Sequence, residues 1–214
     1  MIIRIASIVC VILFPCQAVN AGITLGLLDD FEDGSLEGWS PPKANTSNVP
    51  GGPTGSTRML EIRSAGRLAA FDAGPDVAGT INPTVNAIEV GMSRNLGANA
   101  LEIRLVLFGP GPGNRWTSTQ SQILPGDGMW NTHSFSILEA DLTQVAGDKS
   151  YSDLVNNLNR IMFRHDSGGP SAQGTPIAFT ADPFYIDNVT AAPEPSTLGL
   201  LSAVFLVLVV RKTR

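Results

Sequence analysis

Residues 101–108 read LEIRLVLF, in which Leu101, Ile103, Leu105 and Leu107 alternate with Glu102 and Arg104. A two-residue period puts the four aliphatic side chains on one face of a strand. Val106 and Phe108 break the alternation, so the far end of this strand is predicted to be covered on both faces. The same period recurs in Leu60 and Ile62 and in Ile88, Val90 and Met92. Further strands are predicted near 24–31, 67–73, 116–123, 131–137, 161–165 and 184–190, about nine in all. Between them lie turn clusters such as NVPGGPTGST, GPGPGNR and LPGDG, where Gly and Pro supply backbone angles that strands cannot adopt. One short helix is predicted over 152–160, with Leu154, Val155 and Leu158 at helical spacing and Ser150 or Ser152 as its cap. This pattern defines an all-β fold, an antiparallel β-sandwich with one short helix and no internal repeat.

The two ends follow different rules. Arg4 precedes an apolar run over 5–14, and Val19-Asn20-Ala21 is a small-residue cleavage site, so residues 1–21 are expected to be a signal peptide cut between Ala21 and Gly22. The chain is therefore expected to be exported. Both cysteines, Cys10 and Cys16, fall within that signal, and the mature chain then has no disulfides. Residues 22–192 are long enough for one domain with an ordinary core. At the other end, residues 197–210 are apolar and follow Pro193-Glu194-Pro195, with Arg211, Lys212 and Arg214 at the tip. Such a helix is about 21 Å long, against a hydrocarbon core of about 30 Å. It suits a transient membrane anchor better than a permanent one.

The whole chain carries a net charge of −5, and the folded segment alone holds 10 basic and 18 acidic residues. No run of Lys and Arg interrupts that segment, which argues against nucleic acid and anionic lipid and in favour of neutral partners or metal ions. Acid–base chemistry finds few candidates. His133 lies in an alternating strand, and His165 beside Asp166 lies at a strand end, where surface or turn roles are the plainer reading. Two distant histidines without a mature cysteine do not make a zinc set.

The tail PEPSTLGLLSAVFLVLVVRKTR resembles the PEP-CTERM sorting signal of Gram-negative bacteria, with its Pro-Glu-Pro, apolar helix and basic end in order. The resemblance implies that an exosortase recognises Pro193, Glu194 and Pro195, that Arg211 and Lys212 hold the cytoplasmic side until cleavage, and that the protein passes from the inner membrane to the cell surface or biofilm matrix. A second resemblance covers the domain only through its ends. LLDDFEDGSLEGW and FYIDNVT are similar to the first and last strands of jelly-roll carbohydrate-binding modules, which pair.

Jelly-roll glucanases carry three acids alternating along one strand, whereas 101–108 offers only Glu102, so a non-catalytic module is expected. The alternatives are a structural or adhesive matrix protein without a glycan site and a glycoside-active enzyme with two opposed carboxylates. Two sites follow from these readings. A structural Ca2+ is expected to clip the first strand to the last through Glu32 and Asp187, with Asp30 and Asp33 as substitutes; the plainer alternative is that these acids cap turns. A site for exopolysaccharide or another neutral glycan is expected at Asn114, Arg115 and Trp116, after the breaker-rich loop, with an exposed indole for stacking. The alternative is that Trp116 folds inward. Trp39 and Trp130 are expected in the core.

Overall fold

The computed structural model describes residues 22–40, 44–178 and 180–193. Along the chain it forms β1 (Gly26–Asp29), β2 (Trp39–Ser40), β3 (Ala44–Pro50), β4 (Arg58–Ser64), β5 (Ala69–Asp72), β6 (Ala87–Arg94) and β7 (Leu101–Phe108). There follow β8 (Arg115–Ser118), β9 (Gln122–Leu124), β10 (Asn131–Ser136), β11 (Leu142–Ala146), the helix α1 (Tyr151–Asn156), β12 (Arg160–His165) and β13 (Phe184–Ala192). These strands make two antiparallel sheets. The first runs β10-β6-β13-β4-β3, with β1 also on β13; the second runs β11-β8-β7-β12-β5-β2, with β9 on β7.

The alternation seen in the sequence explains how the sheets face each other. Leu60, Ile62, Ile88, Val90, Met92, Phe184 and Ile186 from the first sheet meet Leu101, Ile103, Leu105, Leu107, Ile161 and Phe163 from the second in one buried cluster. Each such side chain contributes about 1.5–3 kcal/mol by leaving water. Trp39 closes one side of this core, its ring stacked on Phe163 at 5.7 Å and edge-on to Phe31 at 6.4 Å. Its indole Nε1 donates to the Asp29 carboxylate at 2.9 Å, which ties the start of β2 to the end of β1.

The expected strand over 116–123 is divided. β8 pairs with 106–108 of β7 and β9 with 101–103, so residues 119–121 bulge between them on the same edge. Arg104 fills the gap, its Nη1 donating to the carbonyls of Ser118 (2.9 Å) and Thr119 (2.5 Å), while Leu105 N donates to Ser118 Oγ. The helix is shorter than predicted. Ser150 and Asp153 form a reciprocal capping box at its start, and it stops at Asn157, whose backbone N–H donates to the Leu154 carbonyl. Leu158 then turns out to exchange backbone hydrogen bonds with Gly79. Three strands, β2, β3 and β11, have no counterpart among those predicted. Among the described residues no helix is long and apolar enough to cross a membrane; residues 1–21, with Ala21, and residues 194–214, with the expected helix and with Glu194, Pro195, Arg211 and Lys212, lie outside them.

Candidate functional site

The outer face of the second sheet is built from alternate residues of four adjacent strands. On β7, Leu101 to Leu107 point inward at odd positions, so Arg104, Val106 and Phe108 point outward. Antiparallel register then fixes their neighbours. One rung is Phe71, Met162, Val106 and Thr117; the next is Arg160, Phe108 and Arg115; a third is Ala69, Arg164 and Arg104. Residues opposite one another in adjacent strands have Cβ atoms about 4.5–5.5 Å apart, so each rung is a row of touching side chains. Ala69, Val106, Phe108 and Met162, with Phe71, form a second apolar cluster on this face, separate from the core.

A groove of about 330 Å3 runs over this floor, lined by Phe108, Met162, Arg67, Arg115, Arg160 and Arg164 among others. Its wall is the segment after β12. Arg67 donates to the carbonyls of Gln173 and Gly174, Arg115 to that of Ala172, and Arg164 to that of Ser171. Asp166 anchors the same segment: its carboxylate accepts from Ser171 N at 3.1 Å and Ser171 Oγ at 2.6 Å and pairs with Arg164 Nη2 at 2.9 Å. Arg160 is different. Its side chain has no hydrogen-bond partner among the described residues, and its guanidinium lies 4.0 Å from the ring centre of Phe108 and 4.6 Å from that of Phe71. Burial, and then the neighbouring Arg115 charge, lower its pKa, although a guanidinium remains protonated throughout the ordinary range. The acidic composition therefore conceals a basic surface, assembled from residues scattered between 67 and 164.

The expected stacking site is not formed. Trp116 faces inward, 9% exposed, in the core cluster and edge-on to Tyr151 at 6.0 Å. The reason is strand period: Arg115 opens β8 toward the groove, which sends Trp116 to the other side. Asn114 is buried at the strand entrance, its Oδ1 accepting from Gln144. Of the three, Arg115 alone reaches the groove. Trp130 also departs from expectation. It is half-buried and lines a second cleft, on the outer face of the first sheet, with Glu89, Asn131, Thr132, Asn188 and Thr190.

The carboxylates expected to hold calcium meet different fates. Glu32 is exposed and accepts from Thr57 N (2.8 Å), Thr57 Oγ1 (2.6 Å) and Arg58 N (3.1 Å), which hold its carboxyl below the usual range. Asp30 and Asp33 cap turns, accepting from the backbone N–H groups of Glu32 and Ser35. Asp187 is fully buried in β13: its Oδ1 accepts from Asn188 N at 2.8 Å, while its Oδ2 has no partner. Burial raises its pKa, and the charges of Glu32 and Asp30 add to that rise. Gly52, at φ 130°, lets a loop backbone lie on that carboxylate; a Cβ there would sit 3.0 Å from Asp187 Oδ2.

A set that the sequence did not signal is Asp29, Asp72 and Asp76, which each offer an oxygen within 4.8 Å of the others. Asp29 ends β1 in the first sheet, Asp72 ends β5 in the second and pairs in register with Trp39, whose indole bonds Asp29, and Asp76 comes from the loop after β5, so the set forms where the two sheets meet. Burial pushes Asp29 up to about 8, against the hydrogen bond from Trp39 and with help from Asp72 and Asp76. Asp72 is pushed up to about 6 by burial and by Asp76. Like charges this close do not all ionise. The histidines do not meet: His133 is buried in the first sheet, and His165 is in the second, its Nδ1 3.1 Å from the Glu102 carbonyl.

No protein-family model and no curated protein matches the chain. Solved structures do. The family 11 carbohydrate-binding module of Clostridium thermocellum, solved with a β-1,3-1,4-mixed-linked tetrasaccharide, superposes with a TM-score of 0.54 at 18% identity, over 79% of this chain and 97% of that one. The CBM22-2 xylan-binding domain of Paenibacillus barcinonensis Xyn10C gives 0.52 at 20%, over 77% and 98%. The non-crystalline-cellulose-specific module CBM28 gives 0.54 at 12%, over 81% and 97%. The fold is thus the jelly-roll β-sandwich of carbohydrate-binding modules.

Proposed function

We propose that the protein is a non-catalytic glycan-binding module of the cell surface or biofilm matrix, and that the groove on the second sheet is its binding face. One observation carries this reading: a groove floored by the outward apolar side chains Met162 and Phe108, with Phe71 beside it under Arg160, framed by guanidinium donors and walled by Ala172 and Gln173. An extended polymer fits such a shallow groove, whose guanidinium groups offer hydrogen bonds to sugar substituents above the apolar floor. The likeness to binding modules supports the reading. The full chain is expected to be retarded in native gels containing its host's exopolysaccharide. Phe71→Ala should reduce the retardation several-fold with little change in melting temperature, and Trp130→Ala should leave it intact. Loss on Trp130→Ala alone would move the site to the other sheet.

Export and sorting belong to the same proposal. The signal over 1–21 and the Pro193-Glu194-Pro195 tail deliver the domain through the inner membrane, and an exosortase removes the apolar segment. A structural calcium is also proposed, with Asp187 and Glu32 as ligands. The unpartnered, buried Oδ2 of Asp187 fits a hard cation, and an ion there would neutralise a carboxylate that burial otherwise disfavours.

A further inference from the structure

We propose that the groove of the second sheet selects an acidic polysaccharide, one whose sugars carry carboxylate or sulfate groups, over a neutral glycan; the proposal rests on reading that groove as a glycan site. Five arginines, Arg67, Arg104, Arg115, Arg160 and Arg164, stand on or beside the floor. Among the described residues one of them, Arg164, has a carboxylate partner, Asp166. The others that hydrogen-bond do so to neutral backbone carbonyls and one amide oxygen, which leave the positive charge in place.

The donors are also incompletely used. The Nε groups of Arg115 and Arg164 are buried without a partner, and Arg164 is 3% exposed. Arg160 has all its guanidinium N–H groups free of protein acceptors among the described residues, and the two rings beneath hold it. A guanidinium fixed in this way presents a flat fork, and its shape matches two oxygens of a carboxylate or sulfate. The mutual repulsion of Arg160, Arg115, Arg164 and Arg67 is relieved by an anion, and no such relief comes from a neutral sugar.

The aromatic evidence points the same way. Neutral glycans are held mainly by sugar rings stacked on open Trp or Tyr faces. Among the described residues no Trp or Tyr lines the groove, and Arg160 covers the faces of Phe71 and Phe108. The cation–π contacts thus replace the stacking platform with a charge.

The test uses the full chain in affinity electrophoresis against polygalacturonate, dextran sulfate, mixed-linkage β-glucan and a single-stranded oligonucleotide. Retention by polygalacturonate or dextran sulfate, weakened about tenfold or more by Arg160→Ala and in 0.5 M salt, supports the proposal, and the polymer that binds names the acidic group. Arg160→Lys should recover only part of the loss, because it keeps charge without the fork. Arg63→Ala, which removes an exposed arginine paired with Glu61 on the other sheet, should change nothing. Retention by β-glucan alone, unaltered by Arg160→Ala, overturns the acidic preference and leaves the glycan reading standing. Equal loss with Arg63→Ala, or preference for the oligonucleotide, also overturns it. Failure to bind any of these or the host exopolysaccharide removes both readings.

Discussion

Trp116 and Arg115 are neighbours with opposite fates, and the two-residue strand period decides which does what. The indole fills the core, so Trp116→Ala should cost about 3–5 kcal/mol in urea unfolding while polysaccharide retention by the remaining folded protein is unchanged. Asp29 shows a second residue-level effect. Its folded pKa, about 8, lies far above its ordinary value of 3.8. Between about pH 4 and pH 8 the folded state therefore holds a proton that the unfolded chain releases, and stability falls as pH rises through this window. Asp72, raised to about 6, adds in the same direction. Glu32, Asp33 and Asp153 have lowered values and act oppositely, below the window. In chelator, the melting temperature of the wild type relative to Asp29→Asn should therefore drop from pH 4 to pH 8. A flat difference would contradict the buried, protonated carboxyl.

At the scale of elements, the apolar alternation of β4, β6 and β7 was plain in the sequence, because each turns one face to a single core; β12, with Ile161, Met162 and Phe163 consecutive, is covered on both faces and shows no such period. β3 was not. Its ANTSNVP segment hydrogen-bonds to β4 alone at a sheet edge, where burial imposes no apolar period. The division of 116–123 into β8 and β9 was equally hidden, since it depends on Arg104 bonding the bulge carbonyls from a strand beyond local view. The basic groove escaped for the same reason: its arginines are far apart in sequence and become neighbours only through register. The terminal pairing of β1 with β13 was legible only through the resemblance of LLDDFEDGSLEGW and FYIDNVT to the end strands of jelly-roll modules, and it brings the proposed calcium ligands to one end of that pair. Chelator should lower the melting temperature, and Asp187→Asn should abolish that sensitivity. If Asp72→Asn abolishes it instead, the ion belongs with Asp29, Asp72 and Asp76.

For the whole molecule, the sandwich supplies two outer faces, and recognition is proposed for one of them. The mature chain isolated from its host is expected to begin at Gly22 and to end near Pro195, an intact mass that a simple C-terminal anchor would not give. The glycan face can be located by an amide chemical-shift titration with oligosaccharides of the host exopolysaccharide. Perturbations are expected to be confined to β5, β7, β8, β12 and residues 166–174; shifts centred on Trp130, Asn131 and Thr190, or none at high oligosaccharide concentration, would rule that face out.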